Sequence, residues 1–218
     1  MEKGFHNRAE AGRLLAGKLA HYAHRDDLMV LGLPRGGVPV AFEVAHSLHA
    51  PLDVFIVRKL GVPGYEEVAM GAIASGGVRV LNRNVVMELR DADAVLADVT
   101  QRESIELERR EREYREGRPP PDLRGKVVIL VDDGLATGAT MRAAVTALRK
   151  LKVDRIVVAM PVVAPESCAR FSQEVDEVVY VIAPAGFRAV GQFYHDFSQT
   201  TDDEVRELLE VATHGLAA

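Results

Sequence analysis

The stretch Val127–Met141, VVILVDDGLATGATM, decides how this chain is read. An apolar run, VVILV, meets two aspartates, Asp132 and Asp133. A loop of small and hydroxyl residues follows, and a helical pattern then opens at Met141. A short continuous run of apolar and β-branched residues marks a strand covered on both faces. Adjacent carboxylates at its end repel each other and resist burial, so they need hydroxyls, cations or water to face. In open parallel sheets ligands collect beyond the carboxyl ends of the strands. The loop ATGAT (136–140) is built for that position. Small side chains at Ala136, Gly138 and Ala139 let a phosphate reach backbone N–H groups, Thr137 and Thr140 add hydroxyl donors, and the helix that follows points its positive end at the anion. Acids that accept from a vicinal diol, beside a cup for a phosphate, describe ribose 5-phosphate.

Outward from this stretch, strands alternate with helices. LMVLGL (28–33), LDVFIVRKL (52–60), RIVVAMPVV (155–163) and EVVYVIA (177–183) are further strand-like runs. Helical spacing marks 8–23, 38–48, the segment from Met141 to Leu151, and PESCARFSQE, which begins at Pro165. VRVLN (78–82), after Gly76-Gly77, reads as one strand of a small ribbon. This order predicts an α/β fold with a central, mostly parallel sheet flanked by helices. A single domain over 1–218 is expected. Its core covers about 25–183, a charged helical insert about 99–121, and a small C-terminal hood or tail about 184–218, where Thr200 or Thr201 caps a last helix.

The insert holds six arginines and six glutamates from Arg102 to Arg118, closed by RPPP. Glu106–Arg110, Glu108–Arg112 and Glu111–Arg115 stand at i,i+4, so a solvated, salt-laced helix is expected. The insert or its flanking loops are also the candidate lid.

Composition narrows the function classes. The chain has 218 residues, 48% hydrophobic and 27% charged, and a formal net charge of -5. No basic field recruits nucleic acid. Cys168 is the only cysteine, which suits a reducing cytoplasm. No secretory signal is read at the N-terminus and no apolar run reaches the length of a membrane span. The pairs His21/His24 and His46/His49 lack a third ligand for a metal centre. Neither a G-x-x-x-x-G-K-[ST] nor a G-x-G-x-x-G pattern occurs.

A second loop, LPRGGVP (33–39), follows the first buried strand. Gly36 and Gly37 permit unusual backbone angles, and Arg35 offers a fork suited to phosphate oxygens.

With both loops in view, the chain resembles the type I phosphoribosyltransferase family. A hydrophobic strand, two acids and a T-G-x-T cup match its phosphoribosyl pyrophosphate motif, and LPRGG is similar to its pyrophosphate loop, in which a cis peptide would fall at Pro34–Arg35. VRKLGVPG (57–64) resembles the Arg-Lys segment of adenine phosphoribosyltransferases. The whole chain resembles a group of such proteins of unsettled substrate, down to DFSQT near its end.

The resemblance implies that Asp132 and Asp133 hold the ribose hydroxyls and that Ala136, Thr137, Gly138, Ala139 and Thr140 hold the 5-phosphate. Arg35, Gly36 and Gly37 would meet the pyrophosphate, with Arg58 and Lys59 adding charge. Magnesium would enter with the donor, the acceptor would be a nucleobase, and the assembly would be a homodimer. Phe187, Phe193 and Tyr194 would either stack that base or form the core of the hood. At Ala136, 6-oxopurine enzymes carry an aspartate that handles the base proton; Glu66, Glu67 and Asp196 are the remaining candidates. Two functions stay open: transfer of ribose 5-phosphate with release of pyrophosphate, or a non-catalytic module that senses phosphoribosyl pyrophosphate or a nucleotide.

Overall fold

A computed structural model describes residues 4–215. Five parallel strands form the central sheet, in the order β2 (Leu52–Val54), β1 (Leu28–Gly32), β6 (Val127–Val131), β7 (Arg155–Val162) and β8 (Glu177–Ile182). The apolar runs become strands because both faces of this sheet are covered, and alternate residues then enter different clusters. In β1, Leu28 and Val30 pack with α1 (Arg8–Lys18) and α2 (Gly37–Leu48). Met29 and Leu31 pack on the other side, with Ala144, Val145 and Leu148 of α5 (Ala139–Lys150) and Phe171 of α6 (Pro165–Phe171). Each fully buried aliphatic side chain of this kind contributes about 1.5–3 kcal/mol.

The run read as one strand over 52–60 divides in two. Phe55 N–H still donates to Gly32 O at 3.0 Å, but Ile56 N–H goes to Ser75 Oγ at 3.0 Å. The chain thus leaves the main sheet at that point. It enters an antiparallel ribbon of β3 (Val57–Val62), β4 (Tyr65–Ala74) and β5 (Val78–Leu81). β4, with Gly71 paired to Leu81, was not among the expected strands; its small residues mask the alternation on which such a reading depends.

After the short helix α3 (Arg83–Met87), the insert is one continuous helix, α4 (Ala92–Arg115). Glu106–Arg110 and Glu111–Arg115 pair as expected, at 2.7 and 2.9 Å. The helix is nonetheless more than a solvated arm: Leu96, Val99, Leu107 and Tyr114 are buried in the main core. The last helix, α7 (Asp202–Gly215), is capped by Thr201, whose Oγ1 accepts from Glu204 N–H at 3.1 Å. Among the described residues no helix is long and apolar enough to cross a membrane.

Candidate active site

β1 and β6 lie side by side in register, Gly32 opposite Val131, so the loops that leave their carboxyl ends meet. Leu33 N–H donates to Val131 O at 2.9 Å, and the Pro34–Arg35 peptide is cis. The contact is tight enough to dictate residue type. A Cβ on Gly37 would lie 2.6 Å from Val131 O and 2.9 Å from Asp132 Cα, and a Cβ on Gly36 would lie 2.1 Å from Asp133 Oδ2. The two glycines therefore let the 33–37 loop close against the acid pair.

Asp132 and Asp133 are half-buried at the end of β6. Asp132 Oδ1 accepts from Asp133 N–H at 2.9 Å. Burial, then the neighbouring Asp133 charge, hold the Asp132 carboxyl well above the ordinary carboxylate range. Burial also raises Asp133, against the opposing pull of Arg8. Arg8 was not singled out in the sequence. Its Nε and Nη2 both lie 2.9 Å from Asp133 Oδ2. The pairing joins the first residue of α1 to a strand end far along the chain, and no local pattern announces it.

The C-terminal segment completes the surroundings. Tyr194 donates its phenolic O–H to Asp133 O at 2.6 Å. Its ring packs at 5.4 Å from Phe5 and 5.1 Å from Phe197, while Phe187 lies against Phe193 at 5.6 Å. Phe193 and Tyr194 belong to a small buried cluster with Phe5 and Val162, and Phe187 packs against it. Phe193 and Tyr194 are buried there and Phe187 is half-buried.

On the other side of the acids, Gly138 adopts φ +73 and opens α5. The first α-helical bond there runs from Arg142 N–H to Gly138 O at 2.9 Å. The amides of Ala139 and Thr140 thus stand in the helical turn that has no intrahelical partner. Ala136, Thr137, Ala139 and Thr140 are exposed. Ala136 O accepts from Ser167 Oγ, which ties the loop to α6. Ala139 and Thr140 line an open cleft together with Lys59. Arg58, adjacent to Lys59 on β3, pairs instead with Glu103 of α4 at 2.6 Å. Arg35 faces Asp202, Nη1 to Oδ2 3.7 Å, and Asp202 also accepts from the Tyr114 O–H.

Two of the candidate proton acceptors, Glu66 and Asp196, are held below the ordinary carboxylate range. Backbone amides, its own first and then that of Gly64, hold the Glu66 carboxyl below its ordinary range. Hydrogen bonds from Ser198 do the same for Asp196. The Glu67 side chain lies outside the described residues.

Comparison with known proteins agrees with this layout. The family model for the phosphoribosyl transferase domain matches residues 5–198. A protein of Mycobacterium tuberculosis provisionally described as a phosphoribosyl transferase is 49% identical over 215 residues, 99% of this chain and 48% of that protein; the chain spans about half the length of the curated relatives it matches. A uracil phosphoribosyltransferase of Nocardioides is 42% identical over 59 residues, 27% of this chain and 28% of that protein. The crystal structure of TT1426 from Thermus thermophilus superposes with a TM-score of 0.83 at 42% identity, over 94% of this chain and 97% of that one. With the acid pair, the cis-peptide loop and the glycine-opened helix on adjoining strands, the fold is that of the type I phosphoribosyltransferases, and the chain belongs to the phosphoribosyl transferase domain family.

Proposed function

We propose that the protein transfers ribose 5-phosphate from phosphoribosyl pyrophosphate to a nitrogenous acceptor, a nucleobase, and releases pyrophosphate. The observation that carries this reading is the juxtaposition of Asp132 and Asp133 with the amides that open α5 and with Gly36 and Gly37. Asp132 Oδ1 takes the Asp133 amide and Asp133 Oδ2 takes Arg8, and the second oxygen of each acid is the one offered to a ribose hydroxyl. The 5-phosphate lies over the 136–140 loop, where Thr137 and Thr140 can donate. The pyrophosphate lies along the 33–37 loop, with Arg35, Arg58 and Lys59 adding positive charge; to do so Arg35 would leave Asp202 and Arg58 would leave Glu103.

Magnesium fits this site as a companion of the donor. Two carboxylates face one arginine among the described residues, which leaves net negative charge beside the diol for a donor–cation complex. The ion, when bound, offsets the charge of the leaving pyrophosphate. The chain's own residues hold the anomeric carbon in line and keep water away. The stretch shared with a uracil phosphoribosyltransferase supports a nucleobase as acceptor.

Ala136 at the position where 6-oxopurine enzymes carry a proton-handling acid favours a second reading: a sensor that binds the donor without turnover. A nucleobase panel with phosphoribosyl pyrophosphate and magnesium, read by pyrophosphate release, separates the two. Release with one base establishes transfer, and donor uptake without release on any base establishes the sensor. Asp133→Asn is expected to weaken donor binding by about tenfold or more, since it removes a charged acceptor. Unchanged affinity in a folded variant would rule out the diol assignment.

A further inference from the structure

Arg8 stands 125 residues before Asp133 in the chain, yet all of its fork is spoken for at the site. Nε and Nη2 grip one carboxylate oxygen, Oδ2. Nη1 donates to Ser198 O at 2.7 Å, and the guanidinium carbon lies 4.1 Å from the centroid of the Phe197 ring. The side chain is 12% exposed and its partner 15%. An exposed pair of this kind would contribute little; here the cation is fixed by carboxylate, carbonyl and ring together. The Gly36 backbone fits against the same pair, because a Cβ there would reach both Asp133 Oδ2 and, at 3.3 Å, Arg8 Nε.

We propose that Arg8 is the positioning residue of the diol-binding acid: it occupies Asp133 Oδ2 and so reserves Oδ1 for a sugar hydroxyl, with Phe197 and Ser198 of the tail as its mount. The inference rests on the donor-binding reading of the acid pair. It assigns a task to the DFSQT segment that the transfer reaction does not otherwise use. The titratable groups around Asp133 are Asp132 on the same strand end, Arg8 from α1 and the Tyr194 phenol from the hood; the 33–37 loop meets the carboxylate through uncharged Gly36. Arg8 is therefore, among the described residues, the one cation whose charge opposes the rise of both acids.

The test titrates phosphoribosyl pyrophosphate with magnesium into the full chain by calorimetry between pH 5 and 9, for wild type, Asp133→Asn, Arg8→Gln, Arg8→Lys and Phe197→Leu. Arg8→Gln is expected to weaken donor binding by about tenfold or more at neutral pH and to move the midpoint of the pH profile upward. Arg8→Lys should restore part of the affinity, because an ammonium supplies charge without the fork. Phe197→Leu should shift affinity and midpoint the same way, by less. A purely structural role would lower the melting temperature and leave the pH midpoint in place. Should Arg8→Gln fail to fold, Arg8→Lys and Phe197→Leu decide. Wild-type affinity and profile in the folded Arg8 and Phe197 variants, alongside loss in Asp133→Asn, would overturn this inference and leave the donor reading standing. A wild-type chain that takes up no donor would overturn both.

Discussion

Asp132 Oδ1 accepts the Asp133 amide, yet the side chain sits at the mouth of a buried strand beside a second carboxylate, and both features favour its protonated form. An acid whose folded pKa is raised binds its proton more tightly in the folded chain, so folding is weakened as pH rises. The penalty is absent below the ordinary aspartate range near pH 4. It grows above that and levels off once Asp132 ionises in the folded state. Asn keeps the amide acceptor and carries no charge. Asp132→Asn is therefore expected to stabilise the ligand-free protein by about 1 kcal/mol at neutral pH, to lose that gain toward pH 4, and to bind donor poorly. Thermal melts across pH check it; a variant less stable than wild type at neutral pH would contradict the account.

The two glycines of the 33–37 loop separate packing from binding at the scale of an element. A Cβ at position 37 meets backbone, Val131 O and Asp132 Cα, which can yield only if the loop lifts from β6. Gly37→Ala is expected to cost about 1–3 kcal/mol of stability and donor affinity with it. A Cβ at position 36 meets the end of a side chain, Asp133 Oδ2. Gly36→Ala should thus push the carboxylate off Arg8 and lose donor affinity with a smaller loss of stability. Urea titration and calorimetry on both variants test the contrast, and equal stability losses would refute it. These elements also show where sequence reading works. The strands β1, β6, β7 and β8, the acid pair and the PRGG loop are local patterns, each carried by a few consecutive residues, and these four strands fall within the runs marked in the sequence. Arg8, Tyr194 and Asp202 act through partners far away in sequence, so periodicity and spacing carry no trace of these pairings, although Tyr194 itself was marked as an aromatic of the tail. β4 was missed because Gly71, Ala72 and Ala74 pack by being small, and the break at Phe55–Ile56 is set by Ser75, again at a distance.

Across the whole molecule, α4 and the tail bring remote segments to the site. The insert's charge pattern suggested a solvated helix because its signs cancel, but the apolar stripe from Leu96 to Tyr114 turns it into core. Its last turn reaches toward Arg35 through Tyr114 and Asp202. What anchors that turn is Arg115. Only 4% exposed, it binds Asp53 of β2 at 3.0 Å and Glu111 at 2.9 Å, and it donates to Val54 O at 3.1 Å. Burial already raises the Asp53 carboxyl, and Arg115 is the foremost charge opposing it. Removing the arginine alone strands that acid in a low-dielectric setting. Arg115→Met is expected to destabilise by about 3–5 kcal/mol, whereas Arg115→Met with Asp53→Asn should recover much of the loss, because no buried charge is then left unpaired. If the pair only fastens the helix, the double variant should bind donor nearly as wild type does, since neither residue touches the acids or the 136–140 loop. Urea unfolding of the single and double variants measures the coupling. An Arg115→Met protein as stable as wild type would show that α4 docks through its apolar stripe alone.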